Sequence, residues 1–238
     1  MKKIPVCISL ILFFCGSSNS IQKLKPFKKT RLAMNEPSEI CNGSKDDSFF
    51  ILADKAFLYE TTSDGKILRK SDVRAYDIEG AFVVDDKLYV SDESMRQVYV
   101  FDKMSLKLLQ VKQLQFNGAR NLAFESITYN PVSKHFLLAT EKAPQIFFEY
   151  DRDFQNINQF SIPGINEVSA LTWHDSNLYV LSDEQETIYK VDPADYSIKA
   201  RWSIPVINPE GLCFDKDGNI VVVSDDMGKM FYFRNPSL

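Results

Sequence analysis

The sequence predicts an all-β protein, a five-bladed β-propeller whose last blade is closed by a strand from the N-terminal end of the chain. Three observations lead there. A four-part pattern recurs five times at a spacing of about 43 residues, the usual length of a propeller blade. The second part of each copy is apolar on both faces. The last copy is one strand short, and a spare strand precedes the first.

The repeat is plainest in four copies. Glu79-Gly80-Ala81-Phe82 leads to Leu88-Tyr89-Val90-Ser91-Asp92-Glu93, and Glu125-Ser126-Ile127-Thr128 leads to Phe136-Leu137-Leu138-Ala139-Thr140-Glu141. Ser169-Ala170-Leu171-Thr172 leads to Leu178 through Glu184, and Glu210-Gly211-Leu212-Cys213 leads to Ile220 through Asp226. A weaker copy comes first, Ser38-Glu39-Ile40-Cys41 leading to Phe49 through Asp54. A third apolar run follows each time, then a polar turn often opened by Asp (Asp102, Asp151, Asp192), then a fourth run. Those aspartates are read as turn formers whose carboxylates accept nearby backbone N–H groups. Each copy is therefore four short strands joined by tight turns.

A strand without a polar face must be covered on both sides, and Ile220 to Val223 is the clearest such strand. Stacking blades around a ring supplies that cover, whereas a two-sheet sandwich predicts alternation of apolar and polar residues. The missing strand of the fifth copy is expected from Lys28 to Met34, so that the chain ends meet in one blade and the ring is closed. The propeller is assigned to residues 28–238 and a linker to 21–27.

The first twenty residues have the layout of a secretion signal. Lys2 and Lys3 precede an apolar run from Ile4 to Phe14, too short for a comfortable span of about 20 residues, and small polar residues follow. Two processing readings stand open. Cys15 is the lipidated residue of a bacterial lipoprotein, or cleavage after Ser18 or Ser20 releases a soluble chain. The formal net charge is −4, and −6 once Lys2 and Lys3 are set aside. That argues against nucleic acid, which needs clustered positive charge. The one basic cluster, Lys23, Lys25, Lys28, Lys29 and Arg31, is read as a solvated linker and edge strand or as a contact to anionic headgroups. Cys41 and Cys213 sit in apolar strands, and buried free thiols are expected there.

The motifs Glu36-Pro37-Ser38, Ile78-Glu79-Gly80, Phe124-Glu125-Ser126, Val168-Ser169-Ala170 and Pro209-Glu210-Gly211, with Asp217-Gly218-Asn219-Ile220 and in this order, resemble the SdiA-regulated family of bacterial envelope proteins, distantly similar to NHL-repeat propellers. The similarity runs over residues 30 to 236. It implies a five-bladed propeller with a calcium site in a membrane-associated or periplasmic protein, and it implies no particular activity.

In an antiparallel hairpin the start of the first strand and the end of the second share an edge. The repeated Glu starts the first strand, and the Ser-Asp-Glu sequence ends the second. All copies therefore bring acid to one mouth of the ring. Glu79, Glu125 and Glu210 are the innermost candidate metal ligands, with Glu36, Glu167, Asp92, Asp183 and Asp225 as secondary candidates. Crowded carboxylates need cations, shared protons or backbone donors, and calcium, taking about 6–8 oxygen ligands, suits them in kind. The competing structural role is that each Glu accepts backbone N–H bonds from the next blade and locks the ring. Ser38 and Val168 occupy the glutamate position in blades one and four, so a lopsided site on three glutamates is expected.

His135 and His174 belong to no metal-ligand spacing and are read as surface turn residues; no G-x-S-x-G elbow is present, and no catalytic residue is assigned. Three functions stay open. One is a calcium-binding, non-catalytic envelope propeller that binds a ligand or partner at its acidic mouth. The others are a calcium-dependent hydrolase of phosphoesters or lactones, and a metal-free scaffold.

Overall fold

A computed structural model describes residues 21–54, 56–72, 75–116, 123–142 and 144–237. The signal assigned to 1–20, with Cys15, lies outside the described residues. Everything regular in the described chain is strand.

The chain forms five sheets. Blade one is β3 (Glu39–Asn42), β4 (Ser48–Ala53), β5 (Phe57–Thr62) and β6 (Ile67–Asp72). Blade two is β7 (Ile78–Val84), β8 (Lys87–Asp92), β9 (Gln97–Asp102) and β10 (Leu108–Gln113). Blade three is β11 (Ser126–Asn130), β12 (His135–Ala139), β13 (Phe147–Tyr150) and β14 (Asn156–Phe160). Blade four is β15 (Ala170–His174), β16 (Asn177–Ser182), β17 (Thr187–Val191) and β18 (Ile198–Ser203). Blade five takes β19 (Pro209–Phe214), β20 (Ile220–Ser224) and β21 (Lys229–Phe233) from the end of the chain and β2 (Pro26–Arg31) from its beginning.

The closing strand is thus confirmed, two residues earlier at its start and three shorter at its end than Lys28 to Met34. Lys28 lies opposite Tyr232, and Arg31 opposite Lys229. The stretch assigned as linker also carries β1 (Gln22–Lys23), which pairs parallel to β18 of blade four. Leu24 explains why this stretch is held: its side chain is buried in the core between blades four and five.

The first strands touch in chain order, and β19 returns to β3. Five apolar clusters fill the spaces between blades. The second strands are the most buried, as their two-faced apolar pattern requires; every residue of β4 and of β20 is buried. Two glycines show how closely the inner strands approach. A Cβ on Gly80 would stand 2.8 Å from Ile127 N of the next blade, and one on Gly211 would stand 2.6 Å from Ile40 N.

The turn aspartates act as expected. Asp102 accepts from Ser105 N at 2.7 Å, Asp151 from Asp153 N at 2.9 Å, and Asp192 from Ala194 N at 2.8 Å. Cys41 and Cys213 are buried free thiols. His174 departs from its surface assignment. Its ring lies 3.9 Å from that of Phe214 and nearly parallel to it, and burial lowers its pKa.

Candidate functional site

The hairpin geometry brings acid to one mouth of the ring, around a cavity of about 400 Å³. A glutamate from every blade lines it: Glu36, Glu79, Glu125, Glu167 and Glu210. Glu141, Asp183 and Asp225, which follow the second strands of blades three to five, line it as well. Among the expected ligands only Asp92 stands apart. It is fully buried and accepts from Met95 N at 2.8 Å and Tyr76 N at 2.9 Å, so it shapes a turn.

Glu79, Glu125 and Glu210 share one place in the repeat, and Glu36 and Glu167 reach the same cavity from a different one, as the strand register shows. Glu125 N donates to Ala139 O, Ser169 N to Leu181 O and Ser38 N to Leu52 O. Blade four therefore has Ser169, not Val168, in the place of Glu125; Val168 is buried in the inter-blade core. The two serines latch the next blade, Ser38 Oγ donating to Ile78 O and Ser169 Oγ to Pro209 O, each at 2.9 Å. Glu36 and Glu167 stand two residues before those serines and line the same cavity. At Glu36 the backbone takes φ of 46°.

Burial is the largest cause of the raised pKa of every mouth carboxylate that shifts. Glu79 is raised well above the ordinary value, with Asp77, Glu210 and Glu93 adding repulsion. Glu125 is likewise raised, with Glu79 and Glu93 adding to burial. Glu93 is raised too, although it accepts from Ala123 N at 3.0 Å, and it shares a hydrogen bond with Glu125. Glu210 is pushed up to about 8, with Asp183 and Asp225 following burial as causes. Glu167 reaches about 7, restrained by Ser182 Oγ at 2.6 Å and Glu184 N at 3.1 Å. Asp183 and Asp225 are also raised by burial. At the rim, Lys142 lies 2.7 Å from Glu141 and 3.0 Å from Glu184.

One acid here escaped the sequence analysis. Glu39 is 1% exposed, and burial raises its pKa strongly. Its Oε1 accepts from Ile40 N at 2.8 Å and from Leu212 N of blade five at 3.2 Å. Ser126 Oγ of blade three donates to its Oε2 at 3.4 Å and itself accepts from Leu171 N of blade four at 2.6 Å. The locking role expected of the repeated glutamates is thus taken by Glu39. The signal was available: Gly80, Ser126, Ala170 and Gly211 fill this column elsewhere, so a glutamate there is out of place.

The oxygen-only donors of the mouth fit a hard divalent cation in kind. Among the described residues, no three acidic, His or Cys side chains form a preformed metal cage. A cation would draw the carboxylates inward and displace their protons. Glu79, Glu125 and Glu210, with Glu36 and Glu167, would be the residues to hold one.

Comparison with known proteins bears on the fold and the family. A family model described as SdiA-regulated matches residues 25–234. The crystal structure of Myxococcus xanthus glutaminyl cyclase superposes with a TM-score of 0.76 at 10% identity, covering 90% of this chain and 97% of that one. At that identity the likeness concerns the propeller alone. No curated protein matches the chain.

Proposed function

The chain belongs to the SdiA-regulated family, and we propose that it is an exported, non-catalytic envelope propeller that binds calcium at its acidic mouth and, through it, a ligand or partner. The supporting observation is the convergence of a glutamate from each blade, with three further carboxylates, on one cavity. Such a cluster is costly to ionise without a cation. With one it becomes an oxygen-rich cradle of the kind calcium prefers. Export rests on the layout of residues 1–20, with Cys15 as the lipidation candidate.

The test is a calorimetric titration of chelator-treated protein with calcium, paired with thermal unfolding. Ligand that binds only the folded state raises the melting temperature. Heat release and such a rise support the proposal; the absence of both refutes it and leaves the metal-free scaffold.

An enzymatic reading has one observation in its favour. Burial raises the pKa of Glu93, Glu125 and Glu210, the last to about 8, which is the direction a general acid needs. Phosphoesters and lactones are the substrates to screen. Turnover abolished in a folded Glu125→Gln variant overturns the non-catalytic assignment.

A further inference from the structure

We propose that the outer face of blade five, with the segment leading into it, docks on an anionic lipid surface. The observation is an alternation along residues 21–31. Ile21, Lys23, Lys25, Phe27, Lys29 and Arg31 are all exposed, while Leu24 and Leu32 are buried and Lys28 and Thr30 half-buried. The exposed set is four cations and two large apolar side chains. No Asp or Glu occurs from Ile21 to Asn35.

Of the four exposed cations, Lys29 holds its Nζ 5.5 Å over the Phe231 ring. Lys28 pairs with Asp64 at 2.8 Å and, like Phe27 at the register shift beside it, lies against the ring of Tyr232. Among the described residues no ion pair engages Lys23, Lys25, Lys29 or Arg31. The chain as a whole is acidic, so this strip is a local reversal of its field. Aspartates do lie beside Phe27. Asp46, Asp47, Asp215 and Asp217 line a cavity between blades one and five, where Lys28, Lys216 and Arg234 accompany them.

Edge protection explains only part of the pattern. β2 is the outermost strand of its sheet, and lysines on an edge discourage pairing with another chain. Exposed apolar groups work against that purpose. Phe27 is 47% exposed and Ile21 42%. The Phe27 ring is held under the Arg234 guanidinium at 4.2 Å and 6.3 Å from the ring of Tyr232. Cations flanking a held aromatic suit a headgroup layer, where the charges meet phosphates and the ring enters the acyl boundary.

The preceding chain points to the same occupant. Residues 4–14 are an apolar run, and Ile21 follows Cys15 by six positions, about 20 Å of extended chain at most. An N-terminus held at a membrane delivers this strip to its surface.

The test uses residues 21–238, which contain every strand of the ring, sedimented with vesicles of phosphatidylcholine alone or enriched in phosphatidylglycerol. Binding to the enriched vesicles, released by salt, is expected. The triple variant Lys25→Glu, Lys29→Glu, Arg31→Glu should lose at least about tenfold in affinity, and Phe27→Ser should weaken binding by itself. A control with the same charge change on blades two and three, Lys87→Glu, Lys107→Glu, Lys134→Glu, should bind as the parent does. Circular dichroism establishes that each variant is folded. Failure to bind enriched vesicles, or a control that loses as much as the strip variant, overturns the proposal. So does full retention of binding in both Phe27→Ser and the folded triple variant. None of these outcomes depends on calcium at the mouth.

Discussion

Glu39 on the first strand of blade one and Ser126 on the first strand of blade three meet two blades apart, carboxyl Oε2 to hydroxyl Oγ at 3.4 Å. Ser126 in turn takes the N–H of Leu171, and Glu39 takes that of Leu212. Four of the five blades are thereby tied through two side chains. Burial raises the pKa of Glu39 strongly, which disfavours its charge, while its oxygens still serve the buried donors. Glu39→Gln should change unfolding free energy by less than about 1 kcal/mol. Glu39→Ala, which strands buried donors, should cost about 3 kcal/mol. Urea unfolding at neutral pH measures both, and equal losses would show that the charge matters.

The mouth makes the metal-free protein sensitive to rising pH. Glu167 titrates at about 7 and Glu210 at about 8 in the folded chain, against an ordinary 4.5. Below 4.5 both states carry these protons. From there to about 8 the unfolded chain releases them first, so unfolding becomes easier as pH rises. In chelator, the melting temperature should fall on the order of 15 °C between pH 5 and pH 8. Saturating calcium should flatten that fall, and its binding heat should vary with the ionisation enthalpy of the buffer because protons are released.

Substitution separates mouth residues from turn residues. Glu125→Gln and Glu210→Gln remove charge from the cavity and should weaken calcium binding by tenfold or more. Both should also stabilise the metal-free protein at pH 8 by relieving repulsion. Asp92→Asn should leave calcium affinity within about twofold and destabilise by about 1 kcal/mol, since Asp92 serves the N–H groups of Tyr76 and Met95. Titration calorimetry and chemical unfolding on the three variants give the comparison.

Gly80→Ala and Gly211→Ala test the closeness of the inner strands. The added methyl meets neighbouring backbone at 2.8 Å from Ile127 N and 2.6 Å from Ile40 N respectively. Backbone on both sides leaves little room to adjust, so each should lower stability by about 1–3 kcal/mol. Denaturant midpoints at constant slope check it.

Much of this was legible along the chain. Repetition at blade length, second strands such as Ile220 to Val223 with no polar face, and a missing last strand are local patterns. Each has one architectural solution, because apolar faces need cover and strand edges need partners. Glu79, Glu125 and Glu210 were legible as mouth residues because hairpin geometry follows from strand order alone. Asp92 misled for the same reason: its place in the repeat is right, but its carboxylate turns to the backbone of its own loop.

Register between blades was not legible. Whether Val168 or Ser169 stands in the place of Glu125 depends on which N–H meets Leu181 O, and a shift of one residue exchanges core for cavity. The ring, its blade count and its acidic end follow from periodicity and composition, which are properties of neighbouring residues. The gathering of Glu36 and Glu167 with the other glutamates, the Glu39–Ser126 tie and the exposure of Lys29 and Arg31 on β2 were decided in three dimensions. They depend on distances between blades, and those are set by packing among residues that lie far apart in the chain.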